Sequence, residues 1–209
     1  VLGRDWQVQA LSHKPFPSGR LTHPVLDGLA RLMARERIDP DAVREVRLRL
    51  PPLAMRLVGR PLRGDLTANY ARLCLPFVAA VMLRSGTVGL DAFAAARLAD
   101  AATLALAARV RLIEDDNPDP NAVVPQTVEV VSAGGAVLAV TVEHTLGSPA
   151  NPLPRAGRIA KVAACLAAAH APLADAEALA DAVEALEEAP DPGALLAAAT
   201  GRRPAIRRR

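Results

Sequence analysis

Gly147-Ser-Pro-Ala-Asn-Pro152 divides this chain of 209 residues into two parts of different character. Before it, runs with an apolar period of two alternate with runs of helical spacing. After it, the chain is rich in Ala and Leu and reads as helix to Ala199, punctuated by Pro172 and by Pro190-Asp-Pro-Gly193. A switch of period of this kind predicts an α+β unit followed by helices. No internal repeat is present.

Within the first part, Trp6–Leu11 alternates loosely and predicts a strand. Pro24–Arg37 places Val25, Leu26, Leu29, Leu32 and Met33 at helical spacing, and Ile38-Asp-Pro-Asp41 is a turn that restarts a short helix. Val46-Arg-Leu-Arg-Leu50 predicts a half-buried strand ended by Pro51-Pro52. Leu53–Gly64 carries no clear period. Ala68–Leu83 is an apolar helix that Pro76 must kink or begin anew, and Gly86–Gly89 ends it. Leu90–Ala99 and Asp100–Ala108 read as short helices, Val110–Ile113 as a strand, and Asp115–Pro120 as an acidic loop. Thr127–Val131 and Ala136–Glu143 flank Ser132-Ala-Gly-Gly135, which predicts a hairpin. Asn151 is expected to cap a helix whose first residue is Pro152.

Composition narrows the function classes. Apolar residues make up 51% of the chain but aromatics only 2%, so packing must rely on small side chains in close contact. The net charge of +3 is scattered, apart from Arg202, Arg203 and Arg207-Arg208-Arg209, and is no nucleic-acid signature. Cys74 and Cys165 lie in apolar helical context and are read as buried thiols. There is no CxxC motif or Cys/His cluster, so neither a metal nor another cofactor is expected. Cysteine usage fits a reducing cytosol, and no signal peptide is recognisable. No uncharged run reaches the ~18 residues of a membrane helix. A cytoplasmic protein without membrane or nucleic-acid partners is therefore expected. A chain that starts at Val1 and enters structured sequence at once reads as the back portion of a longer polypeptide.

The chemistry concentrates in Lys14-Pro-Phe-Pro-Ser-Gly-Arg-Leu-Thr-His23. Pro15 and Pro17 fix φ and hold Lys14 on a stiff connector. Thr22-His23-Pro24 reads as a helix start. A rigid lysine and a histidine at a helix N-terminus can hold a carboxylate and move a proton. Backbone N–H groups at Ser18 and Gly19 can bind a carboxylate, and Arg20 can clamp it.

Four stretches in this order resemble the MmgE/PrpD family. They are Lys14 to Pro24, Tyr70-Ala-Arg-Leu-Cys-Leu-Pro-Phe-Val-Ala-Ala80, Val88-Gly-Leu-Asp-Ala-Phe93, and Gly147-Ser-Pro-Ala-Asn-Pro-Leu153. The family includes 2-methylcitrate dehydratase, cis-aconitate decarboxylase and iminodisuccinate epimerase. The resemblance covers the family's C-terminal half. It implies a small mixed sheet with a β-hairpin covered by helices over 1–148. Residues 149–200 would be helices that pack on an N-terminal helical domain, and 201–209 a basic tail. It further implies a metal-free lyase that dehydrates a small di- or tricarboxylate such as 2-methylcitrate, with the active site in a cleft between domains. A homodimer and an N-terminal helical half or subunit are the implied partners. Apolar Ile159, Val162, Leu166, Leu179, Val183 and Leu186 are expected to need such a partner face.

By the resemblance, Lys14 and His23 are the catalytic candidates, and Ser18, Gly19 and Arg20 the substrate-binding ones. On the residues alone, Lys14 is equally an exposed lysine, and His23 or Thr22 a helix cap. A second histidine near the position of Gly19 marks the decarboxylase branch, and Gly19 here speaks against that branch. His13, His144 and His170 read as structural, Cys74 as a core thiol, and Asp115-Asp116 as a solvated loop. The rival reading is a non-catalytic binding or assembly module that needs a separate helical subunit.

Overall fold

Alternating apolar and charged residues build the first strand, β1 (Val43–Leu50). Val46, Leu48 and Leu50 are fully buried, while Arg47 and Arg49 face the other way. The strand begins earlier than its clearest alternation because Val43 is also buried. A computed structural model describes residues 3–169, 176–189, 191 and 193. The chain divides into two compact units, Val1–Pro152 and Leu153–Arg209.

The first unit is α+β. Strand β2 (Val110–Glu114) runs parallel to β1, and β3 (Gln126–Ser132) runs antiparallel to it. The hairpin adds β4 (Val137–Val142), giving the order β2-β1-β3-β4. Register aligns Leu112, Leu48, Val128 and Val140 across one face. The opposite face is polar. Arg47 bridges Glu45 at 2.8 Å and Glu129 at 3.5 Å, and the Thr127 and Thr141 hydroxyls meet at 2.9 Å.

Helix α1 (His23–Arg35) lies against β3 and β4 with Val25, Leu26, Leu29 and Leu32 buried. The crossover from β1 to parallel β2 carries α2 (Pro52–Val58), α3 (Ala68–Ala71), α4 (Leu75–Ser85), α5 (Ala95–Leu98) and α6 (Ala101–Ala107). Pro76 sits in the first turn of α4, so it starts that helix rather than bending a longer one. Phe77 fills the core between sheet and helices and meets Phe93 at 6.4 Å.

Trp6–Leu11 is not a strand. It forms a 3-10 turn over Gln7–Ala10, with Trp6, Val8 and Leu11 all exposed. No strand of the sheet pairs with it, and alternation without a ladder partner does not hold a strand. Nor does a helix start at Pro152. Helix α7 (Arg155–Ala168) begins after Pro154, whose backbone is extended at ψ 156°. Pro154 restricts Leu153 to extended backbone and so delays the helix. Asn151 is occupied elsewhere, its side-chain amide donating to the His144 carbonyl at 3.0 Å.

The second unit contains α7 and α8 (Ala176–Glu184). Arg155 reaches Glu177, Asp181 and Glu184 on α8, and Arg158 also reaches Glu184. Cys165 is exposed, contrary to its apolar context, because it shares the outward stripe of α7 with Arg158 and Lys161. Ile159, Val162 and Leu179 are half-buried, whereas Val183 and Leu186 are exposed. His170, Pro172, Pro190 and the arginines from Arg202 onward lie outside the described residues.

Candidate functional site

The connector at Lys14 is held from the far end of the first unit. The backbone N–H of His13 donates to the Gly147 carbonyl at 2.8 Å. Gly147 has φ +87°, and a methyl group there would overlap the His13 carbonyl oxygen. Only glycine combines that backbone with that approach. The turn after β4 is closed on itself. The N–H of Gly147 donates to Asn151 O at 2.7 Å, and that of Ser148 to Thr145 O at 3.0 Å.

Between Lys14 and His23, hydrogen bonds within the chain engage Lys14, Ser18, Gly19 and Thr22. Lys14 is exposed, and its Nζ donates to the Ser18 carbonyl at 3.4 Å. The Thr22 hydroxyl donates to Gly19 O at 2.8 Å, so the Ser18 hydroxyl donates to Thr22 Oγ1, also at 2.8 Å. The Gly19 N–H donates to Arg72 O at 2.8 Å. A Cβ on Gly19 would stand 2.5 Å from Leu73 Cδ2, so a larger residue there would require the Leu73 side chain to move. Thr22 is the N-cap of α1 by position, but its hydroxyl serves Gly19 and not the helix N–H groups. His23 is fully buried, its ring edge-on to Phe16 at 5.5 Å.

Arg20 turns toward a cavity of about 380 Å³. Its other lining residues are Ser12, Val123, Val124, His144, Thr145 and Ser148. Arg20 Nη1 is buried without a hydrogen-bond partner, and burial pushes the guanidinium below its usual pKa. Ser148 Oγ is likewise buried and unmatched. Gln126, at the start of β3, fixes two sides of the cavity. Its Nε2 donates to Leu21 O at 3.2 Å, beside Arg20, and to Val123 O at 2.8 Å.

Hydrogen bonding thus joins Lys14, Ser18, Gly19 and Thr22, while Arg20 belongs to the cavity. Neither Lys14 nor His23 lines it. His144 reads from the sequence as structural, and Thr145, Ser148 and Gln126 carry no chemical motif of their own, yet all four shape the cavity. Their signal was the Gly147-Ser148 motif itself, which pairs with the Lys14 connector. Asp115 and Asp116 sit in a loop of successive turns, with Asn117 N donating to Asp115 Oδ1 at 3.1 Å. Burial raises the pKa of the Cys74 thiol, which contacts the Arg60 carbonyl at 3.4 Å. Among the described residues no three His, Cys, Asp or Glu side chains are grouped to hold a metal ion. Among them, too, no helix is long and apolar enough to cross a membrane.

Comparison with curated proteins gives no match. The model of the MmgE/PrpD C-terminal domain, in contrast, matches residues 16–188. That span holds the whole sheet, the turn at Gly147 and every cavity residue except Ser12. Sheet, turn and matched span together assign the chain to the MmgE/PrpD family, as a C-terminal domain of it.

Proposed function

We propose that this chain is the C-terminal portion of an MmgE/PrpD-type lyase that dehydrates a small di- or tricarboxylate such as 2-methylcitrate. The observation that carries this reading is Arg20, a partly desolvated guanidinium with an unmatched Nη1 at a cavity that no carboxylate among the described residues lines. A cation so placed suits a substrate carboxylate. Dehydration breaks the C–H bond next to a carboxylate and the C–O bond of the hydroxyl. A C=C bond forms, and the hydroxyl leaves as water after taking up a proton. Negative charge grows on the carboxylate as the proton departs, and a fixed cation lowers that barrier. In this reading Arg20 orients the substrate, Ser18 and Gly19 fix the loop beside it, and Lys14 and His23 serve proton transfer. A helical half or subunit, in a cytoplasmic homodimer, completes the site.

The test is turnover by the complete enzyme on a panel of polycarboxylates. Lys14→Ala is expected to lower kcat/KM by ~10²–10³ and to change stability by less than about 0.5 kcal/mol. His23→Asn, which cannot carry a proton, tests the histidine separately. Near wild-type turnover in both variants would refute the assignment.

The burial of His23 against Phe16 favours a second reading. A ring sealed in the core serves packing, as in a non-catalytic assembly module. In that case His23→Asn lowers stability, and no polycarboxylate is turned over.

A further inference from the structure

We propose that the cavity beside Arg20 is a subsite for one carboxylate arm of the substrate, in which Ser148 and His144 are binding residues alongside Arg20. The inference deepens the proposed function and rests on it for the substrate class. Neither Ser148 nor His144 belongs to the Lys14–His23 segment. They reach the cavity because the turn after β4 docks on His13.

Three observations converge. First, Arg20 Nη1 and Ser148 Oγ are both buried and both without a hydrogen-bond partner. Buried donors left unmet are costly, and native folds rarely keep two of them on one cavity. A carboxylate entering the cavity can accept from both once the Arg20 and Ser148 side chains turn these atoms into it. Second, among the described residues no Asp or Glu lines the cavity while Arg20 does, so the lining favours an anion. Third, a volume of about 380 Å³ exceeds what a lone carboxylate fills, and Val123 and Val124 supply an apolar wall. A carboxylate on a short carbon chain fits this mix of charge and apolar wall better than a free inorganic anion. His144 adds a ring that can donate to the second oxygen. Gln126 holds Val123 and the Arg20 segment at a fixed separation, so the cavity is built before a ligand arrives.

The probe is tricarballylate, a tricarboxylate without a departing hydroxyl, titrated into the 209-residue chain. Binding is read by calorimetry and by NMR shifts of the Arg20 side chain and the Thr145 and Ser148 amides. Saturable binding is expected, with the shifts confined to the cavity. Arg20→Met and Ser148→Ala should each weaken it about tenfold or more, the scale of a lost hydrogen bond to a charged group. Arg20→Lys, which keeps the charge but not the fork, should weaken it less than Arg20→Met. Arg35→Ala, exposed at the end of α1 and outside the cavity, should change it less than about threefold. Melting temperature checks that each variant is folded.

The subsite is overturned if no saturable shift appears at the cavity, if folded Arg20→Met binds as wild type, or if inorganic phosphate binds more tightly than tricarballylate. These failures leave the Lys14 and His23 turnover test intact. Conversely, cavity binding with no turnover of any polycarboxylate by the complete enzyme would uphold the subsite and refute the lyase reading.

Discussion

The backbone N–H of His13 and the carbonyl of Gly147 meet at 2.8 Å, joining the two stretches that carry the most site residues. One stretch holds Lys14 to His23, and the other holds His144 to Ser148. Far apart along the chain, they become two sides of one cavity because a left-handed glycine lets the turn press against the connector.

Gly147→Ala should therefore disrupt both fold and site. The added methyl meets the His13 carbonyl oxygen, and φ +87° is strained for alanine. A loss of about 2–3 kcal/mol in urea unfolding is expected from the clash and the strain together. The Thr145 and Ser148 amide resonances should shift as well. An alanine variant with wild-type stability and unshifted amides would show that the contact matters little.

Gln126 is the other fixture of the cavity. It is almost fully buried, and its Nε2 serves the carbonyls of Leu21 and Val123. Gln126→Leu keeps the bulk and removes both donors, leaving buried acceptors unmet. The expected cost is about 1–3 kcal/mol. Chemical denaturation checks this, and an unchanged midpoint would mean that water replaces the amide.

Much of the fold was legible in the sequence, and the reasons are local. The Val46–Leu50 alternation, Pro76 at a helix start and the glycines after Ser132 each state a backbone preference that tertiary contacts do not overrule. Trp6–Leu11 misled because alternation specifies a strand only where a neighbour completes the ladder. Asn151 misled because its amide is taken by the His144 carbonyl, a contact set by the turn and not by sequence spacing. The site was half legible. Arg20 stood inside a recognisable motif. The cavity around it is lined by His144, Thr145 and Ser148, whose place depends on the docking of the Gly147 turn.

The chain alone is expected to be catalytically silent. In the proposed function a helical half completes the site, and Lys14 and His23 are the proton-transfer candidates of this chain. Incubation of the purified 209-residue chain with 2-methylcitrate or cis-aconitate should give no product above background. Measurable turnover would show that the helical half is dispensable.

Asp27 should make the first unit less stable as pH rises. It is buried on α1, and burial raises its carboxyl pKa, against the opposing pull of Arg31 at 2.5 Å. The folded chain then holds this proton more tightly than the unfolded chain. Stability falls as pH climbs from the ordinary value of 3.8 through the higher folded value, and is flat beyond it. Asp27→Asn removes the titrating group, so the difference between wild type and variant isolates this slope. A wild-type curve parallel to that of Asp27→Asn through this window would contradict the raised pKa.

Asp100 should act in the opposite sense. It is the N-cap of α6, where its Oδ2 accepts from the Thr103 hydroxyl at 2.5 Å and from the Thr103 N–H at 2.9 Å. These bonds, the hydroxyl's first, hold the carboxyl below its ordinary 3.8. A depressed folded pKa gives stability that is present above 3.8 and lost as pH falls through the lower folded value. Asp100→Ala removes the cap and should cost about 1 kcal/mol at neutral pH. Asp100→Asn keeps an acceptor for Thr103 without the charge, so it should retain most of that stability and lose the acid dependence. Thermal unfolding of the three proteins from neutral pH down to about pH 2 separates the contributions. The wild type should approach Asp100→Ala in stability as the carboxyl protonates. If the gap between them stays constant across that range, the hydrogen bonds to Thr103 do not couple this carboxylate to folding.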